Sequence, residues 1–304
     1  MLMPINLMTP SPSKPVGLIG LGLVGSAFSE RLLARQLSVL GWDIGAAQRD
    51  TFATLGGTLL ASVSEVFDRC ERVILSLPSH REVGDVIDLA AFALRPGHII
   101  IDTTTGDPAS TAALAVELAA RGVTYLDATI SGSSAQVRSG AAIMMVGGDA
   151  AAYAACTDLF ALLVSAAFHT GPAGTGAKMK LVTNLVLGLN RAVLAEGLAF
   201  AEALNLDPEL TLAIMRRSPA YSRAMDVKGE KMIRNDFSPE ARLSQHLKDV
   251  RLIVEGGTDA GLPMPFSLTH REVLEAAETA GLGGLDNSAL IQVLRARVAK
   301  ESSV

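Results

Sequence analysis

Lys180 and Asn184 stand four residues apart in GPAGTGAKMKLVTNLVLGLN, residues 171–190, a segment that opens glycine-rich and then turns apolar and helical. Residues at i and i+4 share one face of a helix, so the ammonium and the amide point the same way, and Gly188 continues that face. Lys178, two residues from Lys180, falls roughly on the opposite side. A lysine partly withdrawn from water can exchange protons near neutral pH. An amide one turn further on can hold a substrate hydroxyl, or the lysine itself. Spacing alone leans the other way, to a lysine whose stem covers apolar surface while its ammonium reaches water.

A second constellation lies near the N-terminus. Gly20-Leu21-Gly22-Leu23-Val24-Gly25 follows an apolar run and opens a helical one. Glycines at this spacing permit a tight turn and let the backbone approach a pyrophosphate at a helix N-terminus. Asp43 ends the next apolar run, eighteen residues after Gly25. A carboxylate there can accept hydrogen bonds from both ribose hydroxyls and repels a 2′-phosphate, which favours NAD over NADP. The bland alternative is a ligand-free glycine turn beside a surface aspartate.

Ligands of open α/β sheets collect at the carboxyl ends of the strands. Leu77-Pro78-Ser79, Asp102-Thr103-Thr104-Thr105 and Ser131-Gly132-Ser133-Ser134 all fall at such ends. Singly each is ordinary turn chemistry; three at one sheet edge point to a site. Lys248 sits in Gln245-His246-Leu247-Lys248-Asp249-Val250, where Lys beside Asp reads first as a solvated helix face. His, Cys, Asp and Glu show no metal-ligand spacing, so no metal is expected. No Gly-x-Ser-x-Gly elbow supports a serine hydrolase.

The elements that must position these groups are legible. Strand-like runs at 15–22, 38–43, 72–78, 98–104, 124–130, 141–148 and 166–171 alternate with helical stretches such as 24–36 and 107–122. In the latter, Asp107 is a natural N-cap, Pro108 the first helical residue and Gly122 the stop. Such alternation predicts a doubly wound, mostly parallel sheet. After residue 172 strand signals vanish, and helices are expected over 176–204, 208–216, 240–256, 263–280 and 286–300. The division expected is a flexible leader at 1–14, a dinucleotide-binding α/β domain at 15–174 and an all-helical domain at 175–304.

The totals agree. The chain has 304 residues, 49% of them hydrophobic, enough for more than one core. A net charge of −5 without basic runs argues against nucleic acid or an anionic membrane as partner. Cys70 and Cys156 form no disulfide framework and suit a reducing, cytoplasmic setting. Residues 1–14 lack the basic and apolar regions of a signal peptide. Asn184, Asn190, Arg191, Glu196 and Glu202 interrupt the longest apolar stretch, so a buried core helix is expected there and no membrane span.

Taken together, these residues resemble the β-hydroxyacid dehydrogenases, the family of 3-hydroxyisobutyrate dehydrogenase and tartronate semialdehyde (2-hydroxy-3-oxopropionate) reductase. The likeness runs from about residue 15 to 300 and rests on ordered blocks: GLIGLGLVGSAFSERLL, DATISGSSAQVRSGAAIMMVGG, GTGAKMKLVTN, HLKDVRLIVE and GLDNSALIQVL. It implies a Rossmann N-terminal domain, a long interdomain helix, an all-α C-terminal domain and assembly as a homodimer or homotetramer. The implied reaction interconverts a small carboxylate-bearing β-hydroxyacid and its aldehyde or ketone, with NAD or NADP. The resemblance makes Lys180 the general acid/base, against the leaning from spacing. It gives Asn184 an orienting role and places the substrate carboxylate on Ser131, Gly132 and Ser133. Lys248 would lie near nicotinamide and substrate, with Leu77, Pro78 and Thr105 as further cofactor contacts. Two departures stand out: Thr129-Ile130-Ser131-Gly132-Ser133 replaces the usual Pro-Val-Ser-Gly-Gly, and Thr183 stands where many members carry Asn. An imine reductase, which typically lacks the lysine, and a non-catalytic nucleotide-binding protein are the alternatives on this fold.

Overall fold

A computed structural model describes residues 14–301. The chain divides into two compact units, Met1–Lys180 and Leu181–Val304. The leader expected at 1–14 lies outside the described residues except for Lys14, which pairs with Glu71 at 2.7 Å.

In the first unit the order is β1 (Val16–Ile19), α1 (Leu23–Ala34), β2 (Val39–Trp42), α2 (Ala46–Thr54), β3 (Thr58–Leu59), α3 (Val63–Arg69), β4 (Arg72–Leu75), α4 (His80–Leu89), β5 (Ile99–Asp102), α5 (Pro108–Ala119), β6 (Thr124–Ser131), α6 (Ser134–Arg138), β7 (Ile143–Gly147), α7 (Ala150–Ala155), α8 (Thr157–Leu163) and β8 (Ala166–Gly171). The strands form one sheet in the order β3-β2-β1-β4-β5-β6-β7-β8. Neighbours are parallel except β6 and β7, which run antiparallel with Asp127 opposite Gly147 and Ser131 opposite Ile143. The order reverses direction between β1 and β4, where a doubly wound sheet opens its ligand crevice.

Alternation along the strands explains the two cores. Leu18, Ile74 and Ile101 point into one apolar cluster with Phe28, Leu32 and Phe160. Ile19, Val73, Leu75 and Ile100 point to the other side, among Phe67, Val83 and Leu118. Both faces are covered, as a parallel sheet requires. The expected punctuation of α5 is present: Asp107 accepts from the Ser110 N–H at 2.6 Å, Pro108 begins the helix and Gly122 takes φ +71°.

The second unit is helical: α9 (Thr175–Ala203), which begins in the first unit, α10 (Pro208–Arg217), α11 (Arg223–Arg234), α12 (Leu243–Asp259), α13 (Pro265–Thr279), a 3₁₀ turn (Asn287–Leu290) and α14 (Ile291–Glu301). Its core gathers Leu198, Leu212, Met232, Leu247, Leu274 and Leu290. Lys228, 6% exposed, bridges the fully buried Asp286 at 2.9 Å and Glu240 at 3.0 Å.

Three features depart from the sequence reading. Compact packing divides the chain inside α9, after Lys180, whereas the sequence set the break ahead of that helix. α11 is absent from the expected helices because Gly229 interrupts a polar stretch; a Cβ at Gly229 would lie 2.7 Å from both Leu212 methyls, so the glycine serves packing. α9 is not buried all round. By length and composition it could cross a membrane, but only a third of its apolar window is buried. Leu181, Asn184, Gly188, Arg191, Ala195 and Leu198 are buried at helical spacing, while Val182, Val186, Val193 and Phe200 are exposed on the other side.

Candidate active site

Three glycines between β1 and α1 have three different reasons to lack a side chain. Gly20 takes φ +89°, and a Cβ there would lie 2.2 Å from the Ser76 carbonyl oxygen. A Cβ on Gly25 would lie 1.9 Å from the Gly20 oxygen, so the helix is seated directly on the turn. A Cβ on Gly22, by contrast, meets no atom within 4 Å. Gly22 is also the N-cap of α1, with no side-chain cap. Open space before a helix N-terminus with unsatisfied N–H groups is what a pyrophosphate needs. The residues present therefore fit a dinucleotide.

Asp43 follows β2 and joins the same turn. Its Oδ2 accepts from the Leu21 N–H and its Oδ1 from the Gly45 N–H, each at 2.6 Å. A carboxylate offers about four lone-pair directions, so these bonds fix its orientation and leave acceptor capacity for ribose hydroxyls. Arg49 directs Nη1 at the carbonyls of Asp43 and Ile44, at 2.8 and 2.9 Å.

The ends of β4 and β5 are tied to each other. The Leu77 N–H donates to Thr104 Oγ1 at 3.2 Å, and Thr103 Oγ1 donates to the Leu75 carbonyl at 2.8 Å. Asp102 Oδ1 accepts from the Thr104 N–H at 2.9 Å, and Oδ2 accepts from the Tyr125 hydroxyl. Burial pushes both the Asp102 carboxyl and the Tyr125 phenol above their ordinary values. This bonded pair holds the turn that leads to Pro78 and Thr105.

At the end of β6, Ser131 is half-buried. Gly132 follows with φ +147°, its α-hydrogen facing Ala142, whose Cβ a side chain would approach to 2.9 Å. Ser133 caps α6: its Oγ accepts from the Gln136 N–H at 3.3 Å, and its N–H donates to Gln136 Oε1 at 2.8 Å. The serine that replaces the family's second glycine thus has hydroxyl and amide engaged by one glutamine. Lys180 is half-buried whereas Lys178 is exposed, and Lys180 Nζ donates to the Ile130 carbonyl at 2.6 Å. The lysine therefore stands at the residue before Ser131.

The second unit holds the other expected residues. Asn184, 5% exposed, donates from Nδ2 to Asp249 Oδ2 at 3.0 Å. Lys248 is half-buried on α12 beside it. His246 is buried, its ring centroid 5.2 Å from that of His270. Both imidazoles close on Gly188, where a Cβ would lie 2.7 Å from His246 Nε2 and 2.9 Å from His270 Cε1. So Gly188 extends the Lys180–Asn184 face by making room for two rings. Burial, with the Arg191 charge second, lowers the His270 imidazole to about 4.

Sequence reasoning missed Asp127 and Asp249. Asp127, at the centre of the strand TYLDATIS, is 2% exposed, and a carboxylate so placed must be satisfied by something. Asp249, next to Lys248 in a segment whose pattern suggests a solvated face, is only 9% exposed. Among the described residues no group of three or more His, Cys, Asp or Glu is arranged to hold a metal ion.

Known dehydrogenases resemble the chain in sequence and in fold. Residues 15–171 match the model of the NAD binding domain of 6-phosphogluconate dehydrogenase. Residues 174–294 match the NAD-binding model of NADP-dependent 3-hydroxyisobutyrate dehydrogenase. L-threonate dehydrogenase of Cupriavidus necator is 30% identical, over 92% of this chain and 96% of that protein. 2-(Hydroxymethyl)glutarate dehydrogenase of Eubacterium barkeri is 30% identical, over 91% and 94%. In fold, the chain matches Mycobacterium tuberculosis 3-hydroxyisobutyrate dehydrogenase with a TM-score of 0.85, at 24% identity and covering 93% and 99% of the two chains.

Proposed function

The chain belongs to the β-hydroxyacid dehydrogenase family, and from that premise we propose that it interconverts a small β-hydroxyacid and its semialdehyde or keto form with Lys180 as the general acid/base. It is an NAD(P)-dependent hydroxyacid dehydrogenase; the substrate and the residue roles are the proposal. One observation carries the roles: Lys180 Nζ is held on the Ile130 carbonyl, immediately before Ser131.

A nicotinamide, when bound, supplies the hydride acceptor or donor. Gly20, Gly22 and Gly25 with Leu21, Leu23 and Val24 would receive its pyrophosphate, and Asp43 its adenosine ribose. Leu77, Pro78, Thr105 and Lys248 would make the remaining contacts. The Ser131 hydroxyl and the Gly132 N–H would hold the substrate carboxylate, with Ser133 behind them. A neutral Lys180 amine can keep one N–H on Ile130 and turn its lone pair to the substrate hydroxyl. In oxidation it takes that proton as the carbinol carbon loses hydride; in reduction the ammonium returns a proton to the carbonyl oxygen. Asn184 would fix the hydroxyl's direction. The carboxylate of Asp43 supports NAD over NADP. The presence of Lys180 weighs against an imine reductase, and the open space at Gly22 against a protein without a nucleotide. A homodimer or homotetramer would cover the exposed Val182, Val186, Val193 and Phe200, and sedimentation tests this.

The test is NADH and NADPH formation by the purified protein with a panel containing L-threonate, 2-(hydroxymethyl)glutarate and 3-hydroxyisobutyrate, for wild type and Lys180→Ala. Turnover by wild type, lost in the variant and faster with NAD, is expected. Turnover retained in Lys180→Ala would remove the lysine from the chemistry.

A further inference from the structure

We propose that Asp127 is the positioning residue for Lys180: its carboxylate caps the helix that carries the lysine and so sets where the ammonium stands against Ser131. This rests on the role given to Lys180 above.

A helix start leaves backbone N–H groups without partners, and helices usually cover them with side chains at the N-cap and N3 positions. In α9 the N-cap is Gly174, whose carbonyl accepts the first helical bond from the Lys178 N–H at 3.0 Å. N3 is Ala177. Neither has a side chain that can cap. Both N–H groups instead reach one carboxylate on another element: Gly174 donates to Asp127 Oδ1 at 2.9 Å and Ala177 to Asp127 Oδ2 at 2.8 Å. The two donors that a capping box satisfies reciprocally are here taken by the two oxygens of a single strand residue.

The neighbouring contacts leave this turn little freedom. Thr129, two residues on and on the same face of β6, donates from Oγ1 to the Gly176 carbonyl at 3.0 Å. A Cβ at Gly176 would lie 2.3 Å from the Asp127 carbonyl oxygen and 2.7 Å from that of Met145. A Cβ at Gly147 would lie 2.4 Å from Asp127 Oδ1. The first turn of the helix therefore lies against bare backbone of β6 and β7. Ser131 is the next residue of that face of β6, and Lys180 Nζ returns to the Ile130 carbonyl. One strand thus fixes the origin of the helix at Asp127, its rotation at Thr129 and the lysine at Ile130. A helix advances about 1.5 Å and turns about 100° per residue, so a small slip at its origin carries Lys180 away from Ser131.

A carboxylate is required. An asparagine offers one acceptor oxygen and would aim its NH₂ at the second backbone N–H. The site is also the positive end of a 29-residue helix, where a negative charge is favoured.

The experiment uses the whole protein and two readouts. In the first, lysines are reductively methylated with ¹³C-formaldehyde, and the Lys180 resonance is assigned by its loss in Lys180→Ala. Asp127→Asn is expected to shift or broaden that resonance while the NAD-induced rise in Tm persists. In the second, kcat is expected to fall about 100-fold, as for a misplaced reacting group, with KM for NAD within about twofold of wild type. If Asp127→Asn does not fold, Thr129→Val loosens the same turn by one hydrogen bond and is expected to move the resonance less, in the same direction. An unmoved Lys180 resonance in a folded variant overturns the proposal, as does a wild-type kcat in Asp127→Asn while Lys180→Ala is inactive. Activity surviving in Lys180→Ala, with the resonance still moved by Asp127→Asn, overturns the catalytic role of the lysine and leaves its positioning intact.

Discussion

Gly25 faces the carbonyl of Gly20 so closely that a Cβ would lie 1.9 Å from that oxygen, and both partners in this contact are backbone. No rotamer change can relieve a methyl group placed there. Gly25→Ala is expected to separate α1 from β1, lower Tm by several degrees and abolish stabilisation by NAD. Gly22→Ala, whose Cβ meets no protein atom within 4 Å, is expected to keep Tm without cofactor and still lose at least about tenfold in NAD affinity. Thermal melts with and without NAD separate the two. Equal behaviour of both variants would contradict the different roles assigned to these glycines.

Asp43 is held by the N–H groups of Leu21 and Gly45, so its carboxylate is preset before any ligand arrives. Asp43→Asn keeps one acceptor and removes the charge that repels a 2′-phosphate. The ratio of kcat/KM for NAD to that for NADP is expected to fall about tenfold, an effect on the order of 1.4 kcal/mol. An unchanged ratio would show that cofactor choice lies elsewhere in the site.

Asp249 anchors Asn184 through a bond of 3.0 Å between buried groups. Asp249→Ala leaves the Asn184 amide without that acceptor, at an expected loss of about 1–3 kcal/mol by chemical denaturation. The freed amide should also raise KM for the hydroxyacid more than KM for NAD. A variant as stable as wild type would show that water or another group takes over the amide.

Stability should fall on acidification in two steps. His270 is 4% exposed, and burial, then Arg191, lowers its imidazole from 6.5 to about 4. The unfolded chain takes up this proton first, so the contribution is whole above pH about 6.5 and is lost as pH falls towards 4, on the order of 3 kcal/mol in all. For Asp286, burial raises the carboxyl, but the bonds from Lys228 and Ser288 and the Lys228 charge outweigh it and bring it to about 2. Its contribution is present above pH about 3.8 and is lost as pH falls towards 2. Tm measured from pH 7 to 5 should decline, and His270→Phe should flatten that decline. A slope unchanged in the variant would assign the acid limb to other groups.

What could be read in the sequence was what depends on neighbours in the chain. Asp107, Pro108 and Gly122 bound α5 because capping, a fixed φ and a left-handed stop are local effects. The glycine fingerprint was legible for the same reason. β3, only two residues long, offered no period to detect. α11 was hidden because the reason for Gly229 is Leu212 on another helix. Asp127 and Asp249 escaped because their partners lie 47 to 65 residues away, and an acidic residue announces neither its burial nor its donors.

The cap on α9 also has a bearing on how the protein is made. A helix whose start is completed by a strand about 50 residues upstream cannot settle its first turn from local sequence, however strongly the rest of it favours helix. Synthesis runs in the convenient direction: β6 leaves the ribosome first, and Asp127 awaits the amides of Gly174 and Ala177. The turn bearing Lys180 should therefore be among the last parts of the first unit to gain protection from hydrogen exchange during refolding, after the strand that receives it.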